Sequence, residues 1–139
     1  MTTTSPSRPI AGESATRHPV HSALTGLATL GVLLQGLWAG LMVREGEDYR
    51  ERWVHVHALD AEVTIALAAL ATVAALVWLR HRRRDLVVGG AVFTVLLVVE
   101  AYLGGRIGND AALTAVHFPL AMALMGLAVW LPLRALRQP

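Results

Sequence analysis

Two stretches of this chain repeat one pattern: a side-chain amide or carboxyl inside one apolar segment, then a histidine near the start of the next. The first copy runs Gln35-Gly36-Leu37-Trp38-Ala39-Gly40, followed by Val56-His57-Ala58-Leu59. The second runs Glu100-Ala101-Tyr102-Leu103-Gly104-Gly105, followed by Val116-His117-Phe118-Pro119. Polar and ionisable groups are costly in apolar surroundings, so a repeated set of them marks a candidate functional site. Neutral imidazole ligates metals and carries protons. The pattern therefore points to a ligated metal centre or to proton handling.

The segments that must position these groups are long and apolar. The chain has 139 residues, 55% of them hydrophobic, with a mean hydropathy of +0.51. That exceeds the roughly 45–50% apolar content of a soluble domain. Apolar spans cover residues 20–43, 54–79, 86–105 and 111–133. Each reaches the roughly 20 residues that a helix needs to cross a bilayer. The expected fold is all-α, an integral membrane four-helix bundle over residues 20–133, up-down-up-down, with an internal two-helix repeat. Residues 1–19, rich in Thr, Ser and Pro, are expected as a disordered cytoplasmic tail, and residues 134–139 as a second cytoplasmic tail. The first span is too long for a typical signal-peptide core, and no clear small-residue cleavage site follows it. No room is left for a separate soluble catalytic domain.

All twelve basic residues are Arg, and Cys is absent. Disulfides and thiolate metal sites are excluded. The run Arg80-His81-Arg82-Arg83-Arg84 lies between two apolar spans, which makes it a topology signal rather than a nucleic-acid site. With both termini cytoplasmic, Arg8, Arg17, Arg80, Arg82, Arg83, Arg84, Arg134 and Arg137 lie inside, and Arg44, Arg50, Arg52 and Arg106 lie outside. The excess favours termini inside, and the expected membrane is a bacterial plasma membrane. The outer loop also carries Glu45, Glu47, Asp48 and Glu51.

In this orientation Gln35 and Glu100 precede the outer ends of their helices, and His57 and His117 follow the outer starts of theirs. At 1.5 Å per residue all four lie roughly 5–12 Å deep, which suggests one site. On the second helix, Val63, Leu67, Leu70 and Val77 share a face read as lipid-facing, opposite the small residues Ala61, Ala68, Thr72 and Ala75. His57 falls about 60° from the centre of the packed face and His55 about 100° away. His57 is thus the inward-facing residue, with His55 at the membrane boundary. On the fourth helix His117, Ala121, Leu124 and Ala128 form one stripe. His18, His21 and His81 are read as solvated or interfacial.

In such a bundle the second and fourth helices are diagonal, with axes about 11–14 Å apart given neighbours at about 8–10 Å. That gap takes two imidazoles with an iron between them, and four-helix bundles host haem in this way. A mononuclear zinc site more often needs three or four close ligands. Gly36, Ala39, Gly40, Gly104 and Gly105 can make room for a porphyrin or simply pack helices. Glu100 is expected as a neutral acid unless partnered: a proton carrier, or a donor to His or to a haem propionate. Arg106 can pair with a propionate. Asp60, three residues after His57, can accept a hydrogen bond from it or from another helix. Glu62 has no assigned role.

At Gln35 to Gly40, His57 and Val116-His117 the chain resembles the four-helix halves of the heme A synthase family of oxidase-assembly proteins. It is similar also to a group of small, uncharacterised bacterial four-helix membrane proteins. The resemblance spans about residues 24–133 and implies haem b held by His57 and His117 as axial ligands. It does not imply heme A synthesis, because that family has two such halves and an acidic motif in its first outer loop that has no clear copy here. Glu100 stands where the second copy of the motif has Gln.

Three functions remain open from the sequence. One is a small membrane haem protein in electron transfer or haem handling, working with a redox partner or a larger membrane complex. The second is a non-enzymatic structural or accessory subunit packed through Gly and Ala faces. The third is a small proton-coupled transporter built on Glu100, Asp60 and Glu62. No nucleophile–base arrangement suggests a hydrolase.

Overall fold

The computed structural model describes residues 18–44 and 47–137. The expectations for residues 1–17, for Glu45 and for residues 138–139 lie outside the described residues. Four helices make up the fold: α1 (Pro19–Arg44), α2 (Glu47–Trp78), α3 (Arg84–Arg106) and α4 (Thr114–Leu136), with a 3-10 turn at Ala111–Leu113 before α4. No strand occurs among the described residues. All four helices are long and apolar enough to cross a membrane. Their outward faces carry Leu27, Leu30, Leu33 and Leu37 on α1, Val63, Leu70 and Val77 on α2, Val88, Val95 and Val98 on α3, and Met122 on α4, all exposed. Monomeric soluble proteins rarely expose contiguous apolar surface on this scale, and a bilayer supplies the missing apolar contact. The chain is a small integral membrane protein by this criterion.

Helix ends extend past the apolar spans. α2 starts at Glu47 rather than residue 54, and α4 runs to Leu136 rather than residue 133. Hydropathy marks the stretch that suits lipid, whereas helical hydrogen bonding continues into polar surroundings. Asp85 sits in the first turn of α3 and Arg106 in its last, each with the charge that complements the helix dipole. The Asp110 side chain accepts from Ala112 N at 3.0 Å, capping the turn that leads into α4. Pro119 and Pro132 lie within α4, which continues through both.

Each helix packs against its chain neighbours, and α1 also packs against α4, while no α1–α3 or α2–α4 contact occurs among the described residues. The α2–α4 pair is therefore diagonal. Neighbours run antiparallel. Gln35 on α1 meets Asp60 on α2, while earlier in α1 Gly31 lies against Thr64, later in α2, so closely that a Cβ at Gly31 would overlap the Thr64 hydroxyl. Gly89 and Gly104 on α3 likewise meet Leu131 and His117 on α4 in reverse order. The core is small-sided: Ala28, Val32, Ala68, Phe93, Leu97, Leu124, Ala128 and Leu131 cluster in the middle. Of the residues assigned to the packed face of α2, Ala68 and Ala75 are buried. Leu67, assigned to the lipid face, instead packs partly buried against the core. Threonines tie helices together where apolar contact is weak: Thr29 donates to Ala128 O at 2.7 Å, and Thr72 and Thr94 hydroxyls meet at 3.2 Å.

The end of the bundle near the termini departs from the sequence expectation. Arg83, one of the basic run, is only 2% exposed. It donates to Arg134 O at 2.7 Å, to Arg137 O at 3.1 Å and to both Asp85 oxygens at 3.2 Å. Arg134 also reaches Asp85 at 2.7 Å. The last carbonyls of a helix lack intrahelical donors, and Arg83 supplies them for α4. His21 is 4% exposed rather than solvated, next to the Thr25 hydroxyl at 3.5 Å. His18 stacks on Trp78 with ring centroids 3.9 Å apart.

Candidate functional site

The four residues of the sequence repeat converge. Gln35, His57, Glu100 and His117 all line one cavity of about 390 Å³, together with Val32, Leu97, Ala121 and Leu124. The same four also line a second cavity of about 250 Å³, together with Ala61, Ile65 and Gly104. The first opens between α1 and α4, and its rim includes Phe118 and Met122, which are exposed. The second opens between α2 and α3. The polar residues thus form a layer in the bundle centre with apolar space on two sides.

On the diagonal helices the two histidines face this layer. His57 is half-buried and His55 exposed, as the helical angle predicts. The His117 side chain is 13% exposed and that of Glu100 12%. His117 Nδ1 lies 3.0 Å from Glu100 Oε1, without the alignment of a hydrogen bond, so His117 Nδ1 and both Glu100 oxygens remain buried and unpaired in that sense. His57 Nδ1 is also buried without a hydrogen-bond partner. Gly104 allows the His117 ring to approach α3 closely, because a Cβ there would come within 3.1 Å of His117 Cε1.

The two halves of the repeat do not use their polar groups alike. Gln35 Nε2 donates to His57 O at 2.9 Å and to Asp60 Oδ2 at 2.8 Å, and Trp38 Nε1 donates to the same oxygen at 3.2 Å. Asp60 is thereby anchored from α1. In the second half the position three residues after His117 is Leu120, and the acid lies on the other helix as Glu100, facing the ring. Of the two partners the sequence left open for Asp60, His57 or another helix, the structure shows donors on another helix, Gln35 and Trp38.

Two other expected site features fall elsewhere. Arg106 is exposed, with its guanidinium 6.0 Å from the Tyr102 ring centroid, and it lines neither cavity. Glu62 lines the second cavity but is exposed. Among the described residues, no cluster of three or more His, Asp or Glu side chains is spaced to hold a metal ion by themselves.

No family model, curated protein or solved structure matches this chain. The resemblance to heme A synthase halves therefore rests on the motif residues alone.

Proposed function

We propose that this protein binds haem b between His57 and His117 and acts in electron transfer or haem handling within a membrane. The observation that carries the reading is the convergence of two imidazoles from diagonal helices on a layer flanked by two apolar cavities. The residues fit the group. Both rings have a buried Nδ1 without a hydrogen-bond partner, two nitrogen ligands are what haem iron needs from a bundle, and a porphyrin's apolar faces suit walls of Val32, Leu97, Ala121 and Leu124. His57 and His117 would be the axial ligands, and Gln35 and Glu100 the polar residues beside them. Bound there, haem b would supply reversible one-electron oxidation and reduction. The protein's own residues set the site: Gln35 and Asp60 lock α1 to α2, and Gly104 lets His117 approach α3. The Arg distribution favours both termini on the cytoplasmic side, and electron transfer calls for a redox partner or a larger membrane complex. A reduced-minus-oxidised absorption spectrum of the detergent-purified protein tests this. A sharp α band and Soret shift, lost in His57→Ala and in His117→Ala, is the expected result; no Soret band after haem addition overturns it.

A second reading draws on one observation, the Glu100 carboxyl buried without hydrogen bonds. It makes the protein a small proton-coupled transporter. Proton flux in liposomes that Glu100→Gln abolishes would support it, and flux unchanged by that substitution would exclude it.

A further inference from the structure

The two histidines at the centre of the bundle are chemically inequivalent. His117 Nδ1 has a carboxyl oxygen at 3.0 Å, supplied by Glu100 from the neighbouring helix. Neither Nδ1 has an aligned hydrogen bond, and the difference lies in the carboxyl oxygen at 3.0 Å, which among the described residues only His117 has. The one firm tie of His57 is through the backbone, where Gln35 holds its carbonyl, and the nearby carboxylate of Asp60 is taken up by Gln35 and Trp38. Gly104 lets the His117 ring come close to α3, where an added Cβ would lie 3.1 Å from Cε1.

A ligating imidazole is ordinarily held by a hydrogen bond from its other nitrogen, which fixes the tautomer and the ring plane and strengthens the ligand. Losing that bond typically costs 10–100-fold in metal affinity. A carboxylate that accepts from Nδ1 places the ring proton there and leaves Nε2 free to ligate. We infer that Glu100 is the positioning residue of His117, that His117 is the permanent ligand of the site, and that His57 is the exchangeable one, giving way to an added neutral ligand. The inference rests on the haem reading for the ligand roles, but the Glu100–His117 pairing stands without it.

The experiment uses the full chain in detergent or nanodiscs and has two arms. In the haem-free protein, nitrogen NMR of labelled histidine is expected to show His117 protonated at Nδ1, a state that Glu100→Leu removes and Glu100→Gln largely keeps. In the haem-loaded protein, His57→Gly is expected to retain haem and to accept added imidazole with restoration of the two-nitrogen spectrum. His117→Gly and Glu100→Leu are expected to lose haem about 10–100-fold more readily than wild type. A His117 tautomer indifferent to Glu100→Leu, or His57→Gly losing haem while His117→Gly keeps it, overturns the inference. Absence of any Soret band in wild type is a different outcome: it removes the haem reading and the ligand roles, while the NMR arm still decides whether Glu100 holds His117.

Discussion

Arg83 stands beneath the C-terminus of α4 and donates to Arg134 O at 2.7 Å. A side chain read from sequence as one of a basic run that signals topology is also the fastening between the α2–α3 turn and the last turn of α4. Arg83→Ala would leave the Arg137 carbonyl without this donor, the Arg134 carbonyl with the Arg137 N–H alone, and Asp85 with Arg134 alone. The expected loss is about 1–3 kcal/mol, read as a lowered unfolding midpoint in detergent. Arg83→Lys recovers little, because an ammonium cannot span the carbonyls and the carboxylate with a planar fork. The neighbouring Arg82→Ala, at an exposed position, leaves stability unchanged and serves as the control.

Gln35→Glu places a second carboxyl against Asp60, where the amide donated at 2.8 Å. The donor to Asp60 is lost and a second acid faces it, so the α1–α2 contact weakens. Adding Asp60→Asn restores one acid and one amide, in the transposed order that places the acid on the first helix of the pair. Thermal unfolding is expected to show the single variant destabilised and the double variant close to wild type.

Gly31→Ala forces a methyl onto the Thr64 hydroxyl. Overpacking of this kind costs about 1–3 kcal/mol. Thr64→Ala removes a buried hydroxyl that has no hydrogen-bond partner, so by itself it is expected to be nearly neutral. The double variant then recovers part of the loss, and a double-mutant cycle by thermal unfolding measures the coupling. Strict additivity would disprove the contact.

Gly104→Val crowds the His117 ring, since even a Cβ reaches within 3.1 Å of Cε1. The helix contact can adjust, but the ring plane cannot stay where it is. The expected outcome is a shifted His117 imidazole NMR signal with helix content unchanged by circular dichroism. Gly36→Ala, with open space around the added atom, is expected to leave that signal in place.

Much of the architecture was legible because lipid imposes simple constraints. Four apolar spans of sufficient length gave four helices, and the 100° turn per residue separated His57 from His55. The repeat also brought the right four residues to one layer. The unreadable parts all depend on partners distant in sequence. Arg83 resembles its neighbours Arg82 and Arg84 until α4 returns to meet it. His21 looks like a boundary residue until Phe93 and Leu131 close the small cavity it lines. Arg106 follows Gly105, which lines the second cavity, and its guanidinium lies over Tyr102, a placement that the sequence does not show. Helix ends were underestimated for a related reason, since hydropathy stops at the first charges while the backbone ladder does not.

The first cavity opens through the side of the bundle, with Phe118 and Met122 at its rim. In a bilayer that doorway faces acyl chains. A molecule reaching His57 and His117 by this route dissolves in the lipid first and arrives edge-on, so its supply follows its partition coefficient rather than its concentration in water.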